Sequence, residues 1–227
     1  MTRPGSRTWT VERVRGSARA LHQTRLPAEP DRRVTLIDAE AAALVLGSTQ
    51  RHDVVDTDAC RRHGVEVVQR RSGGGAVLVG PGQVLWVDVV VPRDDALWTD
   101  DVSHSSRWLG DAWSAALAAV GAVGATGAVT YTGAMMCRPW STAVCFAGLA
   151  PGEVTVGARK AVGIAQRRSR EGARFQCAVP LAWRPELMAD LLGLGHRATA
   201  ALADIVHVVP SASAPALFEA LVAHLPR

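Results

Sequence analysis

The chain has 227 residues, enough for one large domain, with 48% hydrophobic and 20% charged residues. A formal net charge of +4 admits an anionic ligand or an acidic partner protein but does not make a nucleic-acid binder. No run of about 18 apolar residues appears, which excludes a membrane-spanning helix. The N-terminus lacks the apolar core of a secretory signal, so a cytoplasmic protein with reduced thiols is expected.

Residues 1–30 are rich in Arg and Pro and weakly periodic. They read as a partly ordered arm with a short helix around "SARALHQ". From Val34 the pattern tightens. "VTLID" and "AALVLG" have strand length, and "DTDACRRHG" reads as a helix from an Asp cap to a closing Gly64. "VEVVQRR" alternates as a strand and "SGGG" follows as a loop. "QVLWVDVVVP" is a long β-branched strand ended by Pro92. "SHSSRWLGDAWSAALAAVG" places Trp108, Leu109, Ala112, Trp113, Ala116, Leu117 and Val120 on one helical face and stops at Gly121. "AVTYTG", "GEVTVGARKAVGIAQRR" and "ARFQCAVPLAW" read as strands, with helical stretches near 185–192 and 215–224. Strands and helices intermix without regular alternation. The expected class is α+β, with a mixed, mostly antiparallel sheet flanked by helices.

Two stretches stand out chemically. Gly73, Gly74 and Gly75 remove every Cβ at one spot, directly after Arg70 and Arg71. Such a loop lets backbone approach a ligand and suits a phosphate or carboxylate. The same residues also fit a plain hairpin connection. No Gly-Lys-Ser/Thr follows, so the loop is not the phosphate-binding P-loop. The second stretch is "GARKAVGIAQRR". Its Lys160 is the only lysine among the 25 Lys and Arg residues. Strand alternation puts Lys160 and Val162 on one face and Arg159 and Ala161 on the other. Lysine is a slim cation with rotatable donors, where arginine is a planar fork.

The four cysteines, Cys60, Cys137, Cys145 and Cys177, fit no zinc spacing, and no metal site is expected. Cys60 and Cys177 read as core or surface residues without a chemical role, and Cys137 as structural. Arg167, Arg168 and Arg170 form a basic cluster that is either a solvated hairpin tip or a docking patch for an acidic partner.

The ordered set "LVLGSTQ", "GVEVVQRRSGGGAV", "GPGQ" and "GARKAVGIAQRR" resembles the catalytic domain of the superfamily of lipoate-protein ligase A, octanoyltransferases and biotin-protein ligases, its lipoate-ligase branch in particular. The resemblance covers roughly residues 34–182. It implies the α+β fold of that superfamily and transfer of a lipoyl or octanoyl group to a lysine of a carrier domain. The loop Arg70, Arg71, Ser72, Gly73, Gly74 and Gly75 would wrap the acyl ligand. Lys160 would contact the activated carbonyl, where a preplaced cation stabilises developing negative charge. Gly163, Gln166, Val79 and Gln176 fall on family positions at the ligand.

Cys145, in "STAVCFAG", resembles the cysteine of one octanoyltransferase branch that carries an acyl thioester; a buried small hydrophobe is its other reading. Family members often carry histidines where this chain has Val79 and Gln176-Cys177. Those departures keep open a non-catalytic relative that binds an acyl or biotin-like ligand. The resemblance implies lipoate or octanoate as ligand, free, adenylated or carrier-bound, with ATP and Mg²⁺ only for a ligase. Implied partners are a lipoyl carrier domain, a glycine-cleavage H-type protein or an acyl carrier protein. A monomer is expected, with residues 31–227 as a single catalytic domain and no separate C-terminal accessory domain, an arrangement that favours a carrier-to-carrier transferase or a ligase half needing a partner chain.

Overall fold

The computed structural model describes residues 8–227, so the first part of the expected arm lies outside the described residues. The chain runs β1 (Thr10–Gly16), α1 (Ala18–Gln23), β2 (Arg33–Ala39), β3 (Ala43–Leu46), α2 (Thr57–Arg62), β4 (Glu66–Gln69), β5 (Val77–Val79) and β6 (Val84–Pro92). Then follow α3 (Arg107–Ala119), β7 (Ala128–Thr130), β8 (Val154–Val156), β9 (Arg159–Arg168), β10 (Gly172–Pro180), α4 (Pro185–Leu191), α5 (Gly195–Leu202) and α6 (Ala214–His224).

Seven strands form one sheet in the order β1-β2-β6-β10-β9-β8-β7, and three form a second in the order β4-β3-β5. The β1–β2 and β3–β4 pairs are parallel; the others are antiparallel, as expected. One face of the large sheet packs on α3 and α6 through Trp113, Phe175, Leu109, Leu117, Leu217 and Leu221. The other face meets the small sheet through Ile37 and Trp86 against Val45 and Val79. The central strand β3 is buried along its whole length, with Leu44 and Leu46 facing the packing of α4 and α5. That is why "ALVL" reads as a continuous apolar run rather than an alternation.

Local signals explain the boundaries. Ser17 caps α1 by accepting from the Ala20 amide, and Asp56 caps α2 by accepting from Ala59. Two elements differ from expectation. Thr10–Gly16 is an edge strand paired in parallel to β2; its side chains are mostly exposed, so no apolar alternation marks it. Helix α5 went unrecognised because its "GHRATAAL" buries only Ala198 and Leu202.

The expected alternation in β9 also needs correction. An irregularity pairs Val154 with Val162 and Thr155 with Lys160, skipping Ala161. Ala161 and Val162 therefore both pack in the α3-side core, and Val162 does not share the face of Lys160.

Helix α3 lies very close to the β7–β8 region at Gly110. A Cβ there would stand 2.3 Å from the Gly152 carbonyl oxygen and 2.7 Å from Thr130 Cγ2. Helix propensity alone favours alanine over glycine by about 1 kcal/mol, but the collision is with backbone and outweighs it. Gly110→Ala is expected to destabilise the protein by about 1–3 kcal/mol in urea unfolding; a rise in stability would contradict this packing.

Candidate active site

The glycine loop joins β4 to β5, and Arg70 ties it from inside. The Arg70 side chain is buried. Its Nη1 donates to the Val45 carbonyl at 3.1 Å, and its Nη2 to the carbonyls of Gly73 at 2.7 Å and Gly75 at 2.9 Å. Burial pushes its pKa down. Arg71, by contrast, is exposed. The two adjacent arginines thus separate into a strut and a surface cation.

Gly75 permits a close approach of the loop to the Cys145 segment. A Cβ on it would lie 2.6 Å from the Val144 carbonyl carbon and 2.7 Å from the Cys145 nitrogen. The neighbouring backbones are bonded: Ala76 N–H donates to Ala143 O at 2.7 Å and Cys145 N–H to Ala76 O at 2.9 Å. Cys145 opens a single 3-10 turn, Cys145–Ala147. It is half-buried and reduced, and it lies within electrostatic range of the Arg70 guanidinium.

Lys160 reaches this turn from the other side. Its Nζ is 2.7 Å from Glu153 Oε1, with both side chains 5% exposed. It also donates to the carbonyls of Cys145 at 3.0 Å and Gly148 at 3.1 Å, and sits 5.5 Å from the Phe146 ring centre. Three acceptors converge on one point. A rotatable ammonium meets that arrangement and a planar guanidinium does not. Glu153 is equally engaged: Oε1 accepts from Ile164 N–H at 3.1 Å and Oε2 from Ala150 N–H at 2.7 Å. Gly163 keeps space beside the lysine, since a Cβ there would be 3.3 Å from Lys160 Cε.

The other expected residues divide. Ser72 Oγ donates to Gln176 Oε1 at 3.2 Å, and Gln176 Nε2 lies 3.1 Å from His22 Nδ1. His22 stacks on Trp86 with centroids 4.3 Å apart. Burial, then Arg70 and Arg174, lower its pKa to about 3, so the ring is neutral near pH 7. Asp88, whose carboxyl burial pushes up, is paired with Arg174. Val79 packs in the intersheet core with Trp86 and Val45. Gln166 pairs with Phe175, on the α3 side of the sheet, and accepts from Ser105 Oγ at 2.7 Å; it stands apart from Gln176. The basic cluster is split as well. Arg168 turns to the Thr99 and Asp100 carbonyls and lies 3.9 Å from the Trp98 ring centre, whereas Arg167 donates to the Arg71 carbonyl at 3.2 Å. Cys60 and Cys177 are buried in separate cores and Cys137 is exposed.

Glu153 and His22 were not singled out from the sequence. Glu153 had a usable signal: a lone lysine on a buried strand needs a compensating acid, and Glu153 is the carboxylate on the preceding strand segment. His22 had none, lying in a weakly periodic stretch that suggested only a short helix.

Glycine loop, cysteine turn and buried lysine thus meet at one place in an α+β domain. Residues 18–214 match the sequence model of the lipoyl protein ligase A/B catalytic domain, and the chain belongs to that family. It is 28% identical over 138 residues to the octanoyltransferase LipM of Clostridioides difficile (strain 630), covering 60% of this chain and 49% of that protein; the chain thus spans about half the length of this curated relative. Among solved structures it is similar to a bipartite lipoate protein ligase from Thermoplasma acidophilum, with a TM-score of 0.72, 16% identity, and coverage of 96% of this chain and 82% of that one. A lipoate-protein ligase A bound with ATP gives a TM-score of 0.68 at 16% identity, covering 96% and 83%. At such identity these two structures show a shared fold.

Breaking a buried ion pair on one side leaves a stranded charge. Lys160→Met is expected to cost about 3–5 kcal/mol, and adding Glu153→Gln should recover part of that loss. Denaturant unfolding of the single and double variants measures this. A double variant no more stable than Lys160→Met would contradict the pairing.

Proposed function

We propose that this domain transfers a lipoyl or octanoyl group onto a lysine side chain of a carrier domain, by way of a thioester on Cys145. The observation that carries the reading is the meeting of three sequence-distant motifs. The glycine loop touches the backbone at Cys145, and Lys160 holds the carbonyl of that same residue.

In the first step the Cys145 sulfur attacks the carbonyl of a donor thioester. A C–S bond forms to Cys145, the donor's C–S bond breaks, and the donor thiol leaves with the proton that Cys145 gave up. In the second step the carrier's ε-amine attacks the Cys145 thioester. A C–N bond forms, the C–S bond breaks, and the amine's proton passes to the departing thiol. Both steps build negative charge on the acyl oxygen. Lys160 supplies a fixed positive charge close to that oxygen. Exchange of its bond to the Gly148 carbonyl for one to the acyl oxygen would bring it into direct contact without disturbing Glu153. Gly163 keeps space beside Lys160 for the acyl group. The T. acidophilum relative is described with its E2 lipoyl domain, and a lipoyl domain or an H-type carrier is the acceptor chemistry proposed for this chain.

Incubation with an octanoyl-loaded carrier, followed by intact-mass analysis, tests the route. The wild type should gain one octanoyl group on Cys145 and pass it to an unloaded acceptor. Cys145→Ala should gain none and lose transfer by at least about 10³-fold. Full transfer by Cys145→Ala from ATP and free acid would replace the thioester route by a ligase reaction. Ligand binding without acylation or transfer would leave a binding relative instead.

A further inference from the structure

On the far side of the Ser72–Gln176–His22 chain lies a cavity of about 410 Å³. Its lining is unusual for a domain expected to hold an apolar chain. Arg25, Arg71 and Arg167 are exposed on its rim, and none of them has a carboxylate partner among the described residues. A fourth, Arg174, is neutralised by Asp88. The lining offers one carboxylate, Glu171. Leu26 and Ala28 supply an apolar patch, which suits an anion carried on carbon better than a bare inorganic ion.

Strand register connects this cavity to the reacting centre. Gly163 faces Ala178, Ala165 faces Gln176, and Arg167 faces Arg174 across β9 and β10. These pairs share one face of the sheet, because Gly163 abuts Lys160 and Gln176 bonds Ser72 of the glycine loop. The row therefore starts beside Lys160 with small side chains and ends in guanidinium groups. At about 3.3 Å per residue it is about 13 Å long, within reach of a medium-length acyl chain. The Ser72–Gln176 bond, the Gln176–His22 contact and the Arg167 bond to the Arg71 carbonyl cross it.

We propose that this cavity is a carboxylate subsite that takes a small organic acid. Arginine forks match carboxylate oxygens two at a time, and the neutral amide of Gln176 and the neutral ring of His22 add no charge against it. The acid has two possible sources. It is the far end of a diacid acyl group whose reacting carbonyl lies at Cys145, a source that rests on the acyl-transfer reading, or it is a free acid that stays within the cavity.

Isothermal titration of the described chain with succinate, octanedioate, octanamide and inorganic phosphate tests this without donor or carrier, so its failure is separate from failure of the transfer reading. A carboxylate should bind saturably, and Arg25→Gln/Arg167→Gln should weaken it at least tenfold with an unchanged melting temperature, both residues being exposed. Octanamide and phosphate should bind at least tenfold more weakly than the best carboxylate. Ala165→Leu, which fills the lane outside the cavity, should weaken octanedioate and spare succinate if the chain runs to Cys145, and should spare both if the acid is free. The proposal is overturned if neither carboxylate binds, if the double arginine variant binds as the wild type does, or if phosphate binds as tightly.

Discussion

A buried charge must be answered, and the site is organised around one that is. The ammonium of Lys160 and the carboxylate of Glu153 are both almost fully excluded from water. Such a pair survives only when its remaining hydrogen-bonding capacity is met. Here Cys145 and Gly148 supply carbonyls to the lysine, while Ala150 and Ile164 supply amides to the glutamate. Each of these bonds also fixes a piece of backbone. The demand of one ion pair for partners thereby sets the path of the segment from Cys145 to Glu153 against β9.

Arg70 does the same for the opposite wall. Its guanidinium binds carbonyls of β3 and of the glycine loop, so the loop is held by its own neighbour while Gly75 abuts the Cys145 turn. Two cations in a low-dielectric setting thus act first as structural clamps. In the proposed transfer their charge would also meet the negative charge that develops on the acyl oxygen.

Much of this was legible in the sequence and some was not, for identifiable reasons. The long strand β6, marked by its β-branched run, and helix α3, marked by its apolar periodicity, match the expectation. The glycine triplet and the lone lysine announced themselves by composition, and the structure brings both to Cys145. The alternation within β9 misled because a register irregularity at Ala161 turns Val162 into the core. Val79 and Gln166 were carried by family position, yet one packs between the sheets and the other faces α3. The division of labour between Arg70 and Arg71 depends on long-range contacts with β3 that no local pattern encodes. His22 enters the site only because a short, weakly patterned helix docks against Trp86.

The central claim is that the Lys160–Glu153 pair holds the Cys145 turn in place. Amide hydrogen exchange in peptides covering residues 140–150, compared between the wild type and Lys160→Met/Glu153→Gln, addresses it directly, with α3 as the internal reference for global stability. Faster exchange in 140–150 by at least about tenfold beyond any change in α3 is the predicted result. Equal protection of that segment in both proteins would contradict it.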